Sequence, residues 1–449
     1  MASQRNVASA LINGLRTNML PSLPDSDISG KRGVVVSTKG LSNGQSDKWN
    51  DGSDYGPDTP LTETSGILEA ILYAATGDVT KEVFLNEGVF LISGEINMAS
   101  LHSLKLKGAG KEKTILRLSS SLTGTTTGNY FVAGFNNSTY QDCMLEISDL
   151  TFDFNNVSTS GSTGTYMFQI TTQNGLNPIE TISIHDVAFK NQAYSADGTT
   201  GGRSFGSVAG IKKNNFHLYN CDFYNLIGDV IGIDQCQSIS VHSNYIQGIK
   251  VNPFLVSEVS SYVDIHDNVY YETNSGTGTS AGGRFFDIFF TGSNNAANSI
   301  KVHHNIVYGY PSHLFSAEDQ NSGLTGNSIQ ADVEDNYFDS LQSGSSFYFV
   351  NSTADITKLR VRNNHGYNPQ GFSVATPTLP AATGSADAVT NTFPFSVRIY
   401  QTGESGTHII DASGNDVTLP SDPPDLALDP GCKIYYATTV ATSWKWYGE

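Results

Sequence analysis

A short pattern of apolar and polar positions recurs along the middle of the chain: apolar, polar, polar, Asn, then an aromatic or β-branched residue. Successive Asn residues of the clear copies are 24, 37, 31 and 28 residues apart. A fixed phrase at a varying period is typical of a coil of constant circumference from which loops of different length emerge. The pattern therefore predicts a solenoid of short strands. Its clear copies are Val241-His242-Ser243-Asn244-Tyr245, Ile265-His266-Asp267-Asn268-Val269, Val302-His303-His304-Asn305-Ile306, Val333-Glu334-Asp335-Asn336-Tyr337 and Val361-Arg362-Asn363-Asn364-His365.

The Asn of this phrase has a physical reason. A tight bend between two strands needs a residue in the left-handed region, and Asn tolerates that region while its amide bonds to the backbone. Asn side chains stacked on successive coils would form a hydrogen-bonded ladder. We therefore expect these Asn residues to lie in the bends and to form such a ladder.

The segments before the repeat predict an arm and a cap. Residues 1–32 are polar, with a possible short helix at 6–16, and indicate an arm for attachment or docking, or a loose terminus. Residues 65–72 have helical apolar spacing and fit a cap, which a solenoid needs to cover the core of its first coil. Residues 83–92 have the pattern of a strand, a turn and a second strand.

The next segment carries a resemblance to a known family. After the helix and the strand pair comes Leu104-Lys105-Leu106-Lys107-Gly108-Ala109-Gly110-Lys111-Glu112-Lys113-Thr114-Ile115-Leu116. This order resembles the entrance of pectate-lyase-like right-handed β-helix proteins, which include phage tailspikes, polygalacturonases and polysaccharide lyases. The resemblance covers roughly residues 30–370. It implies an all-β fold, a right-handed parallel β-helix over residues 33–370, but it is weak for chemistry because such folds host many reactions.

The character of the sequence changes after residue 370. Residues 371–390 are rich in Pro, Ala, Thr and Gly, which predicts a linker. Residues 391–449 alternate like strands joined by turns, which predicts a small C-terminal β-sandwich. Trp444 and Trp446 are candidates for a sugar-stacking platform there, although aromatics at the end of a small β domain also form cores. An oligomerisation role for this domain is a further alternative.

Composition excludes some partners. The net charge is −18, with 25 Lys and Arg against 43 Asp and Glu. Without a basic patch to release counterions, nucleic acid and anionic membranes are not expected partners. The charge is compatible with neutral substrates and with cation binding. No apolar stretch approaches the length of a membrane span, and the four Cys residues have no metal or redox spacing.

The N-terminus bears on location. Residues 1–20 lack the apolar core of a secretory signal. We therefore expect either a mature protein or one that reaches the outside by another route, such as assembly into a virion. By resemblance to tailspikes, we expect a virion or cell-surface location and a homotrimer or fibre assembly.

A column of carboxylates is the first candidate for chemistry. When the strand before each repeated phrase is aligned, alternation turns Asp234, Asp287 and Glu318 outward, with Glu258 in a less certain register. Glycoside hydrolysis needs one carboxylic acid and one carboxylate, and close carboxylates raise one another's pKa. We expect Asp234 and Asp287 to be the catalytic acid and base. Further candidates for these roles are Glu258, Glu318 and Asp229. The expected substrate contacts around this column are Lys212, Arg284 and Phe289, whereas Trp444 and Trp446 are the expected sugar contacts of the C-terminal domain.

The resemblance gives Asp229 a partial motif. Residues 228–233, Gly-Asp-Val-Ile-Gly-Ile, resemble the polygalacturonase phrase Gly-Asp-Asp-x-Ile-x-Ile. The second Asp is replaced, and no Gly-His-Gly or Arg-Ile-Lys partner is present. Polygalacturonase activity itself is therefore not expected, and the spread of carboxylates over several coils fits tailspike hydrolases better. Asp and Glu at strand ends are also common turn formers.

Two other functions compete with hydrolysis. A polysaccharide lyase would use Arg284 as a base and calcium at Asp234 and Glu258, as the resemblance implies. Hydrolysis is expected to need no cofactor. A non-enzymatic adhesin or structural fibre would use the β-helix as a rigid rod. In either enzyme the expected partner is a polysaccharide, whose identity the loops do not indicate.

Histidines form a second column. His185, His242, His266 and His303 occupy the same slot of the repeat. Stacked imidazoles can bind a transition metal or a sugar. Ser148, Tyr219, Glu334 and Arg362 fill this slot in other coils, which is typical of a merely exposed position, so no metal site is predicted.

Overall fold

The structure is a computed structural model of the chain. It describes residues 33–39, 53–59, 62–74, 82–94, 96–97, 103–119, 129–133, 143–157, 165–169, 179–192, 205–206, 215–226, 230–233, 236–249, 254–257, 262–271, 284–290, 293, 296–308, 313–319, 327–339, 346–350, 355–365, 376–393, 396–419 and 425–448. The chain divides into two compact units, Met1–Val256 and Ser257–Glu449. The predicted arm at 1–32 lies outside the described residues.

Short parallel strands make up the first unit. Strands of one coil pair in parallel with the corresponding strands of the next coil, which is the pairing of a parallel β-helix. The strands are β1 (Val34–Val36), β2 (Glu82–Leu85), β3 (Gly88–Ile92), β4 (Ile96–Asn97), β5 (Leu104–Lys107), β6 (Thr114–Leu118), β7 (Asn129–Ala133), β8 (Cys143–Asp153), β9 (Thr165–Gln169), β10 (Ile179–Lys190), β11 (Phe205–Gly206), β12 (Asn215–Tyr219), β13 (Asp222–Tyr224), β14 (Ile231–Ile233), β15 (Ser238–His242), β16 (Tyr245–Gln247) and β17 (Phe254–Ser257).

A helix closes the start of this unit, as predicted. Helix α1 (Ile67–Ala74) buries Ile67, Ala70, Ile71 and Ala74, one apolar stripe at helical spacing. It contacts β1, β2 and β4. The strand pair predicted at 83–92 is β2 and β3. Among the described residues, no helix has the length and apolar character needed to cross a membrane.

The core of the coils is a set of stacked apolar columns. Phe152, Phe189 and Phe223 lie in register on successive strands, and their rings stack at centroid distances of 5.6 and 4.9 Å. All three are fully buried. Parallel strands place like side chains above one another, so a column of large rings fills the narrow interior.

The second unit begins with further parallel coils. Their strands pair in the same way, for example Val263 with Ile300 and Val302 with Val333. The fold of the repeated region is thus the predicted right-handed parallel β-helix. The strands are β18 (Tyr262–His266), β19 (Val269–Tyr271), β20 (Arg284–Phe290), β21 (Ala296–His303), β22 (Ile306–Tyr308), β23 (His313–Asp319), β24 (Ser328–Glu334), β25 (Tyr337–Asp339), β26 (Ser346–Val350) and β27 (Asp355–Arg362).

The Asn ladder is confirmed, but the bend residue is one position earlier than expected. Asn268, Asn305 and Asn336 are buried, and each donates its backbone N–H and side-chain Nδ2 to the Oδ1 of the next Asn at 2.8–3.1 Å. The left-handed residue is the one before each Asn, with φ of 54° at Asp267 and at His304. The bend needs one residue with positive φ, and the amide that follows points inward to hold the coil.

The end of the second unit is antiparallel. Two sheets with the strand orders β28-β33-β30-β31 and β32-β29-β34 form the predicted β-sandwich. Its elements are a 3₁₀-helix (Ser385–Asp387), β28 (Val389–Thr390), β29 (Val397–Thr402), β30 (Ser405–Ile410), β31 (Asp416–Thr418), β32 (Asp425–Leu428), β33 (Lys433–Thr439) and β34 (Ser443–Gly448).

The stretch that composition predicts as a linker is partly packed on this sandwich. Trp444 donates its Nε1–H to the Pro377 carbonyl at 2.8 Å, and Thr376 Oγ1 accepts the backbone N–H of Trp446 at 3.2 Å. Strand β28 pairs with β33. Residues 376–390 therefore belong to the C-terminal domain, because they satisfy polar groups at the edge of its sheet.

Candidate functional site

Most of the predicted carboxylate column lies beyond the part of the chain that the structure describes. Asp229, Asp234, Glu258 and Lys212 are outside the described residues. For Arg284, Phe289 and Glu318 only the strands are described, β20 for the first two and β23 for Glu318. The catalytic and substrate-binding roles of these residues stay predictions.

The register of β20 and β23 separates two of the expected neighbours. Phe286 pairs with Phe315 and Ile288 with Ala317, as the alternation predicts. Glu318, however, pairs with Phe289, and Asp287 pairs with Ser316. Asp287 and Glu318 therefore lie two positions apart along the strands, roughly 7 Å in addition to the spacing between strands.

The expected exposure of Asp287 is wrong. Its side chain is 1% exposed, and Phe285, on the same side of the alternation, is also 1% exposed. Phe286 and Ile288, on the opposite side of the alternation, are buried as well, so neither face of this part of β20 is exposed. Asp287 is thus a buried carboxyl, and its catalytic role stays a prediction.

The expected tryptophan platform is also wrong. Trp444 is 7% and Trp446 is 1% exposed, and their rings meet edge to face at 5.3 Å. Trp444 also lies 6.4 Å from the ring of Tyr436. The two indoles pack in the sandwich core, where they have no exposed face for a sugar.

A row of solvent-facing aromatic residues lies on the coils of the second unit. It consists of Tyr271 on β19, the half-buried Tyr308 on β22, Tyr337 on β25 and His365, and is called the tyrosine surface below. Tyr271 and Tyr308 are register partners, and Tyr337 forms a parallel bridge with His365. Within these strands the middle residue points into the core, as Tyr270 does at 1% exposure, and the outer residues face solvent.

The rings of the tyrosine surface are neighbours whose faces are not stacked on one another. Centroids of Tyr271 and Tyr308 are 6.1 Å apart at an interplanar angle of 63°, and those of Tyr308 and Tyr337 are 6.2 Å apart at 56°. Tyr337 meets His365 edge to face at 4.7 Å. Tyr271 is 42% and Tyr337 is 38% exposed. Because the rings are tilted, and exposed at Tyr271, Tyr337 and His365, parts of their faces can contact a ligand.

A hydrogen-bonded histidine row lies across the bend from this surface. His303 Nε2 lies 2.9 Å from Asp264 Oδ1, and Tyr262 donates its hydroxyl to the other oxygen of Asp264 at 3.0 Å. His303 Nδ1 lies 2.7 Å from His304 Nδ1, and the His303 ring stacks on His266 at 5.1 Å. The predicted slot therefore holds stacked imidazoles, each tied to a neighbouring polar side chain.

The first unit has a similar row with more charge. His185 Nδ1 lies 3.0 Å from Asp186 Oδ2, and its ring stacks on Tyr219 at 4.9 Å. The hydrogen bond to Asp186 raises the pKa of His185, burial opposes that rise, and the charges of Asp186, Glu146 and Asp149 add to it.

Glu146 is the carboxylate on the other side of His185. Its Oε2 lies 2.9 Å from Lys105 Nζ. Burial acts to raise the pKa of Glu146, but the hydrogen bond and charge of Lys105, together with His185, lower it overall. Tyr219 also stacks on His242, at 5.1 Å. This row is a fully paired polar face, with opposite charges held next to one another.

Within the described residues, no three His, Cys, Asp or Glu side chains are placed to hold a metal ion. The histidine rows instead use their nitrogens in hydrogen bonds to carboxylates, hydroxyls and one another.

Sequence reasoning missed the tyrosine surface, although a signal was present. Tyr271 and Tyr308 each lie three residues after the Asn of the repeated phrase, at Asn268 and Asn305. Tyr337 follows Asn336 directly. The expected carboxylate column lies on the strand before the phrase, whereas these rings lie on the strand after it.

The fold and this surface define the chain as a parallel β-helix protein with an exposed aromatic row. No family model matches the chain, and no curated protein matches it. Among solved structures it is similar to the A-module of the mannuronan C-5 epimerase AlgE6 of Azotobacter vinelandii. The two share 13% identity at a TM-score of 0.36, over 66% of this chain and 74% of that chain. A likeness of this extent carries no inference about activity.

Proposed function

We propose that the protein binds an extended polysaccharide along the tyrosine surface. The observation that carries this proposal is the row of neighbouring rings on successive coils, exposed at Tyr271, Tyr337 and His365 and half-buried at Tyr308. Tyrosine offers an apolar ring and a hydroxyl, which suits a ligand with apolar faces and a polar rim.

The arrangement favours a polymer over a small molecule. Strands of a parallel sheet are about 4.8 Å apart, so the row crosses successive strands along the coil axis, with a shift of two strand positions between Tyr308 and Tyr337. Solenoids commonly use extended surfaces of this kind for binding. A single pocket would gather its contacts around one point, whereas this row spreads them over successive coils.

Length dependence tests this proposal. Affinity measured by calorimetry for a disaccharide, a tetrasaccharide and a hexasaccharide of one sugar should rise with length. The double variant Tyr271→Ala/Tyr308→Ala should remove most of that rise, while Tyr262→Ala, an exposed tyrosine on β18 outside the surface, should retain it. Equal affinity for all lengths, or an unaffected double variant, would contradict the proposal.

We further propose that the protein cleaves the bound polymer by hydrolysis. Two carboxyl groups are needed, one to protonate the leaving oxygen and one to activate water or attack. Asp234 and Asp287 are proposed for these roles, with Glu258, Glu318 and Asp229 as further candidates. The Asp287→Asn variant should bind the polymer as the wild type does and release no reducing ends. If that variant fails to fold by circular dichroism, Asp287 is structural and the assignment falls.

Two alternatives predict different readouts in the same assay. A lyase with Arg284 as base would produce ultraviolet absorbance together with reducing ends, and the product would depend on calcium. A non-enzymatic adhesin or fibre would bind without any product, and carboxylate variants would leave its binding intact. Reducing ends without absorbance, unaffected by chelator, support hydrolysis.

Location and assembly belong to the same proposal. A protein that acts on a polysaccharide outside the cell would lie on a cell surface or a virion, and a homotrimer is the proposed assembly by resemblance to tailspikes. Light scattering should then give three times the chain mass of 48.2 kDa. A monomer mass would contradict the trimer and leave the binding proposal unaffected.

A further inference from the structure

We infer that the polysaccharide taken by the tyrosine surface is uncharged. This inference rests on the proposed function and names the chemical class of its ligand. It is carried by the side chains that surround the rings and by the charges that border them.

Among the described side chains, the outward positions around the rings carry no Lys or Arg. These positions lie on β19, β22 and β25 and at His365, and they form a small grid. Recognition of sugar carboxylates or sulfates relies on charge-assisted bonds from Lys and Arg. The grid consists of Val269, Tyr271, Ile306, Tyr308, Tyr337 and His365.

The bends that border the grid add negative charge. Asp267 and Asp335 are exposed at the bends before β19 and β25. The exposed Lys301 lies on the other side of the bend, on β21, and pairs in register with Asp264 and Asp332. A polyanion laid along the rings would meet the carboxylates of Asp267 and Asp335, and this approach of like charges is unfavourable.

The apolar part of the grid fits a neutral sugar. Val269 and Ile306 lie in register beside the tyrosines and are half-buried, so they extend the apolar floor between the rings. The phenol hydroxyls are the polar groups of that floor, and they donate to and accept from neutral sugar hydroxyls alike. A ligand with apolar C–H faces and neutral hydroxyls matches both features.

The size of the grid argues against a protein partner. Three strands span about 10 Å between the outer two, and two outward positions along a strand span about 7 Å. A stable protein interface buries about 800 Å² on each side, several times what this grid offers. A narrow polymer that continues along the row needs no such area at each coil.

The experiment measures binding of three named polymers to the full chain at pH 8. Hydroxyethyl cellulose is the uncharged probe, polygalacturonate the carboxylated one and dextran sulfate the sulfated one. Affinity electrophoresis and calorimetry compare the wild type with Tyr308→Ala and with the matched control Tyr262→Ala, at low and high salt.

Hydroxyethyl cellulose should bind, and salt should change its affinity little because the polymer carries no charge. Tyr308→Ala should weaken that binding about tenfold, the loss of one ring contact, and Tyr262→Ala should leave it unchanged. Neither polyanion should bind through the surface.

The contrary outcomes are distinct. A preference for polygalacturonate or dextran sulfate that Tyr308→Ala weakens would overturn the uncharged class while the proposed binding surface stands. Binding that Tyr308→Ala and Tyr262→Ala leave equally unchanged would overturn the surface itself. Failure of all three polymers to bind would overturn both.

Discussion

His303 Nδ1 lies 2.7 Å from His304 Nδ1, so two imidazole nitrogens face each other at the bend between β21 and β22. Only one of them carries a hydrogen in such a contact. His303 Nε2 is bonded to Asp264, so in the neutral pair His304 Nδ1 donates and His303 Nδ1 accepts. In the preceding coil the same contact is His266 Nδ1 to the Asp267 carboxylate at 2.8 Å.

The first prediction concerns the stability of this bend. His304 has positive φ, so both test variants use residues that tolerate that region. His304→Asn keeps an N–H donor beside His303 Nδ1, whereas His304→Gly removes it, and we expect the Gly variant to lose about 1 kcal/mol more of the free energy of unfolding. Urea unfolding of the wild type and both variants at one pH measures the difference. Equal stability of the two variants would refute the prediction.

The second prediction concerns the Asn ladder. Asn305→Ala removes the bonds from Nδ2 to the Ile265 carbonyl and to Asn336, and leaves the donors of Asn268 without their acceptor. Each buried polar group left unsatisfied costs about 1–3 kcal/mol, so we expect the free energy of unfolding to fall by about 3 kcal/mol. Gln330→Ala, an exposed change on β24, should alter it little. A loss no larger than that of the control would show that the ladder does not hold the coils together.

The third prediction concerns His185 and pH. Its folded-state pKa is raised above the ordinary value of 6.5, first by the hydrogen bond to Asp186. A raised pKa means that the stabilisation is fully present below about pH 6.5 and is lost as pH rises through the folded pKa. His185→Gln should flatten this part of the stability curve.

The control for that measurement is His242→Gln, because His242 Nδ1 bonds to the Ser243 hydroxyl and not to a carboxylate. Chemical unfolding at a series of pH values separates the two variants. If His185→Gln follows the wild-type slope above about pH 6.5, the Asp186 contact does not stabilise the folded state.

The fourth prediction concerns the buried indoles. Trp446→Ala should destabilise the C-terminal domain by about 3–5 kcal/mol, because a large core side chain is lost. Tyr400→Ala, an exposed change on the same sheet, should cost little. Polymer binding by a folded Trp446→Ala protein should be unchanged. Weakened binding without loss of stability would restore the sugar platform that the burial of Trp446 argues against.

The architecture of the protein can be predicted from its sequence alone. The repeated phrase predicts parallel coils because each unit buries one apolar column and needs one bend, and both requirements are local. The amphipathic stretch at 65–72 predicts the cap for the same reason. The ladder also follows from the phrase. The left-handed residue, however, is Asp267 or His304 and not the Asn that follows it. The phrase does not distinguish these two adjacent positions, because both hold residues that tolerate positive φ.

Which side chains are exposed depends on the tertiary structure. Alternation predicts that Asp287 is exposed, yet Phe285 to Ile288 are all buried. Trp446 alternates with the exposed Lys445, and it lies in the sandwich core and not on a sugar platform. Tyr271 and Tyr308 pair in register, and Tyr337 lies on the next strand two positions from Tyr308; loops of unequal length hide this register in the sequence. Local pattern fixes the direction of a side chain, whereas its surroundings depend on contacts between distant segments.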